Sequence, residues 1–443
     1  MAQGLFGRAL RGGALTAGAY AITQGLRLAS NLVLTRLLFP EAFGVMTLVS
    51  VFLVGLAMFS DVGVGPSISQ HKRGDEAAFL NTAWTINVLR GLVLWLATCA
   101  VAWPAASFYA APDLAMLLPV AGLTLLIAGF NPTRIDTANR HLLLGRVTVL
   151  DLMAQVIGIV AMVVLAFALR SVWALVVGAL LGSVAKLVLT WAYLPGMRNG
   201  LRWERAAAFD LVHFGKWIFL STACGFLLSQ GDKAIFGAHL SLQALGVYNI
   251  GFFLASFPIM LGGAVTGRIL IPLYRDHPPG RSLADFGRHR RMRFGLSVGL
   301  IGLLGLLAFG GVALVGVMYD ARYQAAGAVV VAVACVQMIA VVGMTYDQSA
   351  LAGDDARGYF LLMAAKAGLQ TVAFLVGIQV AGLAGALVGQ GIALAVAHPL
   401  IIWLARRHGA WDALHDGVMG SVVSVLIAGA VWWNWGALAA LHF

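Results

Sequence analysis

Residues 20–36 read YAITQGLRLASNLVLTR, an apolar run with an arginine near its centre. On a helix Thr16, Tyr20, Gln24, Arg27, Asn31 and Thr35 follow at steps of four, four, three, four and four, which places them on one stripe. The other faces are Ala, Leu, Ile and Val. Such a helix suits lipid on most of its surface and a polar environment along one line. What that line meets is the functional question.

The whole chain extends this pattern. Of its 443 residues 60% are hydrophobic and 11% charged, with a mean hydropathy of +0.89. A soluble domain carries about 25% charged residues, so an average cytosolic protein is excluded. Apolar runs long enough to cross roughly 30 Å of hydrocarbon predict thirteen membrane segments. They fall at 13–37, 41–65, 79–103, 112–131, 147–169, 171–195, 210–237, 243–271, 294–318, 326–351, 358–380, 382–404 and 418–441. The first follows a short basic stretch, MAQGLFGRALRGG, but is too long and too polar for a signal peptide and reads as retained. Cys99, Cys224 and Cys335 all lie in apolar runs, without the paired spacing of a metal site or a disulfide, and read as packing residues.

Charge sets the expected orientation. With the N-terminus in the cytoplasm, nineteen Lys and Arg fall in cytoplasmic loops, against Arg36, Arg170 and Arg322 outside. That asymmetry follows the positive-inside rule and accounts for most of the net charge of +11 without invoking nucleic acid. RHRRMR at 288–293 then reads as topogenic and as a contact for anionic lipid. The remaining basic residues lie within segments: Arg27, Arg90, Lys186, Lys216, Lys233, Arg268 and Lys366. A central charge costs about 2.5–3.5 kcal/mol to insert, so each needs a reason. Lys233 and Arg268 are near segment ends and can snorkel. For the other five, two readings stand: a water-filled interior, or pairing with an acid.

The chain also resembles itself. LLFPEAFGVMTL (37–48) aligns with HLSLQALGVYNI (239–250), and 145–178 aligns with 356–389 at an offset of 211, placing Arg146 on Arg357, Gln155 on Lys366 and Gly178 on Gly389. Six segments separate the copies, so they share one direction through the membrane. The expectation is an all-α polytopic protein with two six-helix lobes, 1–206 and 207–405, and an extra C-terminal helix within 406–443. Parallel repeats of this kind form transporters that rock around a site at the repeat interface. Pro258 is placed to bend segment 8, as a hinge or as a static kink.

Other polar residues recur along the segments. Asn87 and Arg90 are one turn apart; Asp151 and Gln155 line segment 5; Gln337, Met344, Asp347 and Gln348 lie on segment 10; Tyr359, Lys366 and Gln370 on segment 11. Lys216 and Gln230 are within about 40° of each other on one helix. The carboxylates available to these cations are few, Asp61, Asp151, Asp232 and Asp347, so an interior cavity would be net positive and suited to an anion. The Gln and Asn positions read equally well as interhelical glue, and pairs such as Gly178/Gly182, Gly263/Gly267 and Gly385/Gly389 as close packing.

TRLLFPEAFGVMTLV (35–49), FSDVGVGPSISQ (59–70), SQGDKAIFGAHLSLQALGVYNIGFFLASFP (229–258) and YDARYQAA (319–326), in this order, resemble the polysaccharide exporters of the multidrug/oligosaccharidyl-lipid/polysaccharide superfamily, and within it the Wzx-type oligosaccharide flippases. The resemblance implies two bundles of six helices in a bacterial inner membrane, alternately open to cytoplasm and periplasm. It implies an undecaprenyl-pyrophosphate-linked sugar repeat unit as cargo, coupling to H+ or Na+, no cofactor and no metal. Membrane lipids, a polysaccharide polymerase and chain-length machinery are the implied partners, and the expected working unit is a monomer. Asp61, and Asp232 with Lys233, lie within the resembling blocks and read either as structural signatures or as ion-coupling groups. The thirteenth segment departs from the family's twelve or fourteen.

On this reading Arg27, Arg90, Lys186, Lys216 and Lys366 meet the pyrophosphate, with Tyr20, Gln24, Asn31, Asp61, Asn87, Asp151, Gln155, Asp232, Gln337, Asp347 and Gln370 in support. Arg offers phosphate a fork of donors and Lys a point charge. A cation-coupled multidrug exporter of the same superfamily is one alternative, disfavoured by the excess of bases. A membrane polymerase or ligase is another, disfavoured by the short outward loops. No Walker A sequence and no H-E-x-x-H motif occurs. The ten histidines sit mostly in loops and read as solvated or interfacial.

Overall fold

Pro40 opens the second helix of the chain, where its missing N–H would be unsatisfied in any case, and Phe39 before it is held extended. This junction is typical of the molecule: helices joined by short connections, with no strand among the described residues. The structure, a computed structural model, describes residues 2–61, 63–141, 143–215, 218–266, 270–353 and 355–441.

The chain divides into two compact units, Met1–Ala223 and Cys224–Phe443. The first holds α1 (Ala2–Leu37), α2 (Pro40–Phe59), α3 (Val64–Gln70), α4 (Ala77–Phe108), α5 (Leu114–Gly129), α6 (Arg134–Arg140), α7 (Leu144–Leu169), α8 (Trp173–Tyr193) and α9 (Arg205–Gly215). The sequence places a lobe boundary at 206/207. Packing assigns α9 to the first unit, since Ala207 and Leu211 are buried in one cluster with Val64, Ile68 and Phe79. Helix α10 (Ile218–His239) runs across the division. The second unit continues with α11 (Leu242–Ala255), α12 (Phe257–Val265), α13 (Ile271–Asp276), α14 (Leu283–Met318), α15 (Ala326–Met344), α16 (Asp347–Ala352), α17 (Ala356–Arg407), α18 (Ala413–Trp433) and α19 (Trp435–Ala439).

Among the described residues eight helical runs are long and apolar enough to cross a membrane, or up to ten if each of two bent pairs is one span. The bent pairs are α5–α6, at 57°, and α11–α12, at 46°. Pro258 lies in the first turn of α12, at the second bend, where it cannot continue the preceding helix. Three of the thirteen expected segments remain. Two are α1 and α10, which carry Gln24 with Arg27 and Asp232 with Lys233. The third is the second arm of α17.

Helix α17 is two helices joined at a break, not one rod. Ala381 and Gly382 leave helical geometry, Gly382 at φ 57°, a conformation that favours glycine. The chain then returns antiparallel. Asp355, at the start of the first arm, accepts from His408 Nε2 at 3.3 Å at the end of the second. A Cβ added at Gly358 would lie 2.9 Å from Leu404 Cδ1.

Small residues set how closely these hairpins pack, as expected where lipid gives helices no hydrophobic reason to associate. A Cβ added at Gly178 on α8 would stand 2.8 Å from Met162 Cα on α7, and one at Gly389 would stand 2.8 Å from the carbonyl oxygen of Ala373 across α17. The offset of 211 that aligns the halves carries Gly178 onto Gly389 and also Met162 onto Ala373. Both units therefore close the corresponding hairpin at the same register. One core joins α14, α15 and α18 through Leu300, Leu304, Val331, Met338, Met419 and Val423, and α15 is largely buried. Apolar side chains elsewhere face outward, Leu306 at 72% and Val380 at 79% exposure among them, the arrangement a lipid solvent favours.

Candidate functional site

In the first unit the polar residues of α7 face two neighbours. Asp151 Oδ1 lies 2.8 Å from Lys186 Nζ on α8, and Gln155 Nε2 donates to the Thr23 carbonyl of α1 at 3.2 Å. Gln155 and the buried Gln24 therefore sit at the α1–α7 contact. Arg27, one turn further along α1, is exposed, Asn31 is half-buried and Thr35 is buried. Tyr20 lies on α1, but its side chain and the whole of Lys216 are outside the described residues.

Arg90 is an intramembrane cation held by neutral oxygens, with the charge of Asp61 acting on it from beyond ion-pair distance. Its Nη2 donates to the Ala57 carbonyl at 2.7 Å and its Nε to Ser60 Oγ at 2.9 Å, so it caps the C-terminal end of α2 with a positive charge. Among the described residues no carboxylate forms an ion pair with it. Asp61 is exposed and accepts from the backbone N–H of Gly63 at 2.9 Å. Asn87, one turn before Arg90, is half-buried.

In the second unit Lys366 Nζ donates to Asp347 Oδ2 at 2.7 Å, joining α17 to α16, with 14% and 18% of the two side chains exposed. Gln370, one turn beyond Lys366, donates to the Leu228 carbonyl of α10 at 3.3 Å, and Gln337 donates to Ser256 Oγ at 3.2 Å. Asp232 is buried and accepts from Tyr248 Oη at 2.6 Å. Two of the five deep cations, Lys186 and Lys366, thus meet an acid within their own unit. Gln155, Gln337 and Gln370 bond across helices.

A polar network that the sequence does not announce occupies the second unit. Asp416 on α18 accepts from Tyr346 Oη at 2.6 Å and from Trp411 Nε1 at 3.0 Å, and His398 Nε2 and His415 Nδ1 lie 3.2 and 3.1 Å from its oxygens. Arg293, 1% exposed, donates to Tyr274 Oη, Thr345 Oγ1 and the Ala410 carbonyl, with its guanidinium over the Tyr346 ring. Asp412, which caps α18, is held by Arg290 at 2.6 and 3.0 Å. Burial alone would raise the Asp412 carboxyl, but the hydrogen bonds from Arg290 and from the His415 backbone hold it below the usual carboxylate range.

These contacts correct two expectations. The cluster at 288–293 lies on α14, and helical spacing puts His289, Arg293 and Ser297 four residues apart on one buried face. Arg288 and Arg291 remain exposed, so part of the cluster is an interior lock. His398 and His415 lie inside helices and on a carboxylate, not in solvated loops. The signal available was their position within or beside apolar runs, where any ionisable side chain needs a partner.

The family model described as polysaccharide biosynthesis protein matches residues 33–276, more than half of the chain. The chain belongs to the polysaccharide biosynthesis protein family. Within curated relatives it is 25% identical over 273 residues to the lipopolysaccharide biosynthesis protein WzxC of Escherichia coli (strain K12), covering 60% of this chain and 54% of that one. It is 23% identical over 257 residues to the succinoglycan biosynthesis transport protein ExoT of Rhizobium meliloti (strain 1021), covering 57% and 51%. The chain spans about half the length of the curated relatives it matches. Among solved structures, the lipid II flippase MurJ in an inward closed conformation superposes with a TM-score of 0.70 at 11% identity, over 95% of this family member and 99% of MurJ. An inward-facing multidrug resistance MATE transporter of the MOP superfamily gives 0.61 at 14% identity, over 91% and 95%. The fold is that of this superfamily, in an all-α, multi-pass membrane protein.

Proposed function

We propose that this protein is a lipid-linked oligosaccharide flippase. Its cargo is a sugar repeat unit on undecaprenyl pyrophosphate, moved from the cytoplasmic to the periplasmic leaflet of a bacterial inner membrane by alternating access and coupled to an ion gradient. Membership of the polysaccharide biosynthesis family and the flippase-like fold support the transport class. The names of WzxC and ExoT support the polysaccharide pathway.

One observation carries the anionic part of the reading. Arg90 lies within Ala77–Phe108, a candidate span, and its hydrogen bonds run to the neutral oxygens of Ala57 and Ser60. Those oxygens orient the guanidinium without cancelling its charge. A pyrophosphate meeting such a group gains a charge-assisted, forked donor set. With Arg27 exposed on α1, the head group travels along a basic path while the lipid tail stays in the bilayer. Lys186 and Lys366, being paired, contribute to cargo binding only when their carboxylates move away.

Deletion of the gene tests the function. Lipid-linked repeat units are then expected to accumulate on the cytoplasmic face. Undiminished periplasmic delivery in a strain with no second flippase contradicts the proposal.

A further inference from the structure

In the second unit, Asp347, Lys366 and His398 form the polar wall of a cavity of about 160 Å3. The rest of the lining is apolar, with Ile259, Ile339 and Leu394 among it. Three elements bring these groups together: α16 carries Asp347, the first arm of α17 carries Lys366 and the second arm carries His398.

The hydrogen bonds fix which atom is open. Asp416 accepts the indole N–H of Trp411, which can only donate, and the hydroxyl of Tyr346. It therefore stays an acceptor, and His398 must present Nε2–H to meet it. Nδ1 is then the free lone pair. Among the described residues it has no hydrogen-bond partner, and it points along the cavity-lining Gly343, where an added Cβ would stand 3.5 Å from it. His415 has no such opening. It is fully buried, with Nδ1 on Asp416 and Nε2 on Ser297 Oγ at 2.9 Å.

We infer that His398 is a proton-binding residue, and that the cation taken by this cavity is a proton and not a sodium ion. A hydronium ion gives its proton to Nδ1: one O–H bond breaks, one N–H bond forms and a water molecule is left, while Nε2–H remains on Asp416, so the imidazolium is paired as it forms. A hard metal ion needs a shell of oxygens. Here the cavity's one carboxylate, Asp347, has Oδ2 on Lys366, and among the described residues no group of three His, Cys, Asp or Glu side chains could hold a metal ion. The cavity wall carries one carboxylate, Asp347, paired with one ammonium, Lys366, and behind His398 the Asp416 carboxylate also meets Tyr346, Trp411 and His415. A proton on His398 therefore adds one positive charge to the cavity wall. Asp347 Oδ1, buried without a hydrogen-bond partner, is the anion on the cavity wall that responds to it.

As the coupling group, His398 rests on the flippase reading; as a proton site, it does not. The test uses the full chain in lipid with 15N-labelled histidine. The chain has ten histidines, and among the ring-nitrogen resonances that change with pH one should belong to His398. It should be lost in His398→Gln or His398→Asn. In Asp416→Asn it should move to lower pH, because the paired anion is gone. Replacing choline chloride by sodium chloride at equal ionic strength should leave the titration unchanged. A spectrum in which neither His398 variant removes a titrating resonance overturns the proposal, as does a titration displaced by sodium or unmoved by Asp416→Asn. If the titration behaves as stated but the deletion strain still delivers repeat units normally, the proton site stands and the flippase reading falls.

Discussion

Lys366 and Asp347 lie 2.7 Å apart, each mostly buried, and with the apolar cluster of Ala350 and Leu362 they hold the first arm of α17 to α16. Removing one partner leaves the other charge in a poorly hydrated place, which costs more than the pair itself contributes. Lys366→Met and Asp347→Val should each destabilise the detergent-purified protein by roughly 3 kcal/mol. The double substitution should recover most of that loss. Thermal unfolding of the four proteins checks this cycle, and additive losses would show that the two groups do not interact.

Glycine contacts predict a second set of outcomes. Gly178→Ala and Gly389→Ala push a methyl group against backbone atoms at 2.8 Å and should each cost about 1–3 kcal/mol. Gly420→Ala on α18, where nothing lies within 4 Å, should leave stability unchanged or raise it by up to about 1 kcal/mol. Unfolding midpoints measured side by side separate the two classes.

Asp355 carries a pH dependence. Its carboxylate accepts from the Gly358 N–H at 2.8 Å and also meets His408 and Arg407, and these hold it below the usual carboxylate range. A depressed acid contributes stability above its unfolded value, near 3.9, and loses it as pH falls through the lower folded value. Asp355→Asn should therefore lower the unfolding midpoint at pH 7 and make little difference once the pH is low enough to protonate the wild-type group. Unfolding scans of both proteins from neutral to acidic pH test the sign.

Much of the fold was readable because hydrophobic length and glycine position act locally. The break at Gly382 falls between two expected segments, and the offset of 211 carries the Gly178–Met162 contact onto the Gly389–Ala373 contact. The site was less readable. A polar residue in an apolar run looks the same whether it binds cargo, pairs with an acid or bonds a neighbouring carbonyl. Lys186, Lys366 and Gln370 are separated from Arg90 only by what lies opposite them. Asp416 was missed because it stands two residues before the last apolar run, and Arg293 because its charged neighbours resemble a loop cluster until α14 assigns each a face.

The central claim is that an intramembrane guanidinium bonded to neutral oxygens and not ion-paired serves an anionic head group. The direct measurement places lipid-linked repeat units by their access to a membrane-impermeant reagent in a deletion strain expressing Arg90→Gln or Arg90→Lys at wild-type membrane levels. Arg90→Gln should leave the repeat units on the cytoplasmic face, and Arg90→Lys should restore part of the delivery, since it keeps the charge but not the fork. Full periplasmic delivery by Arg90→Gln would contradict the account.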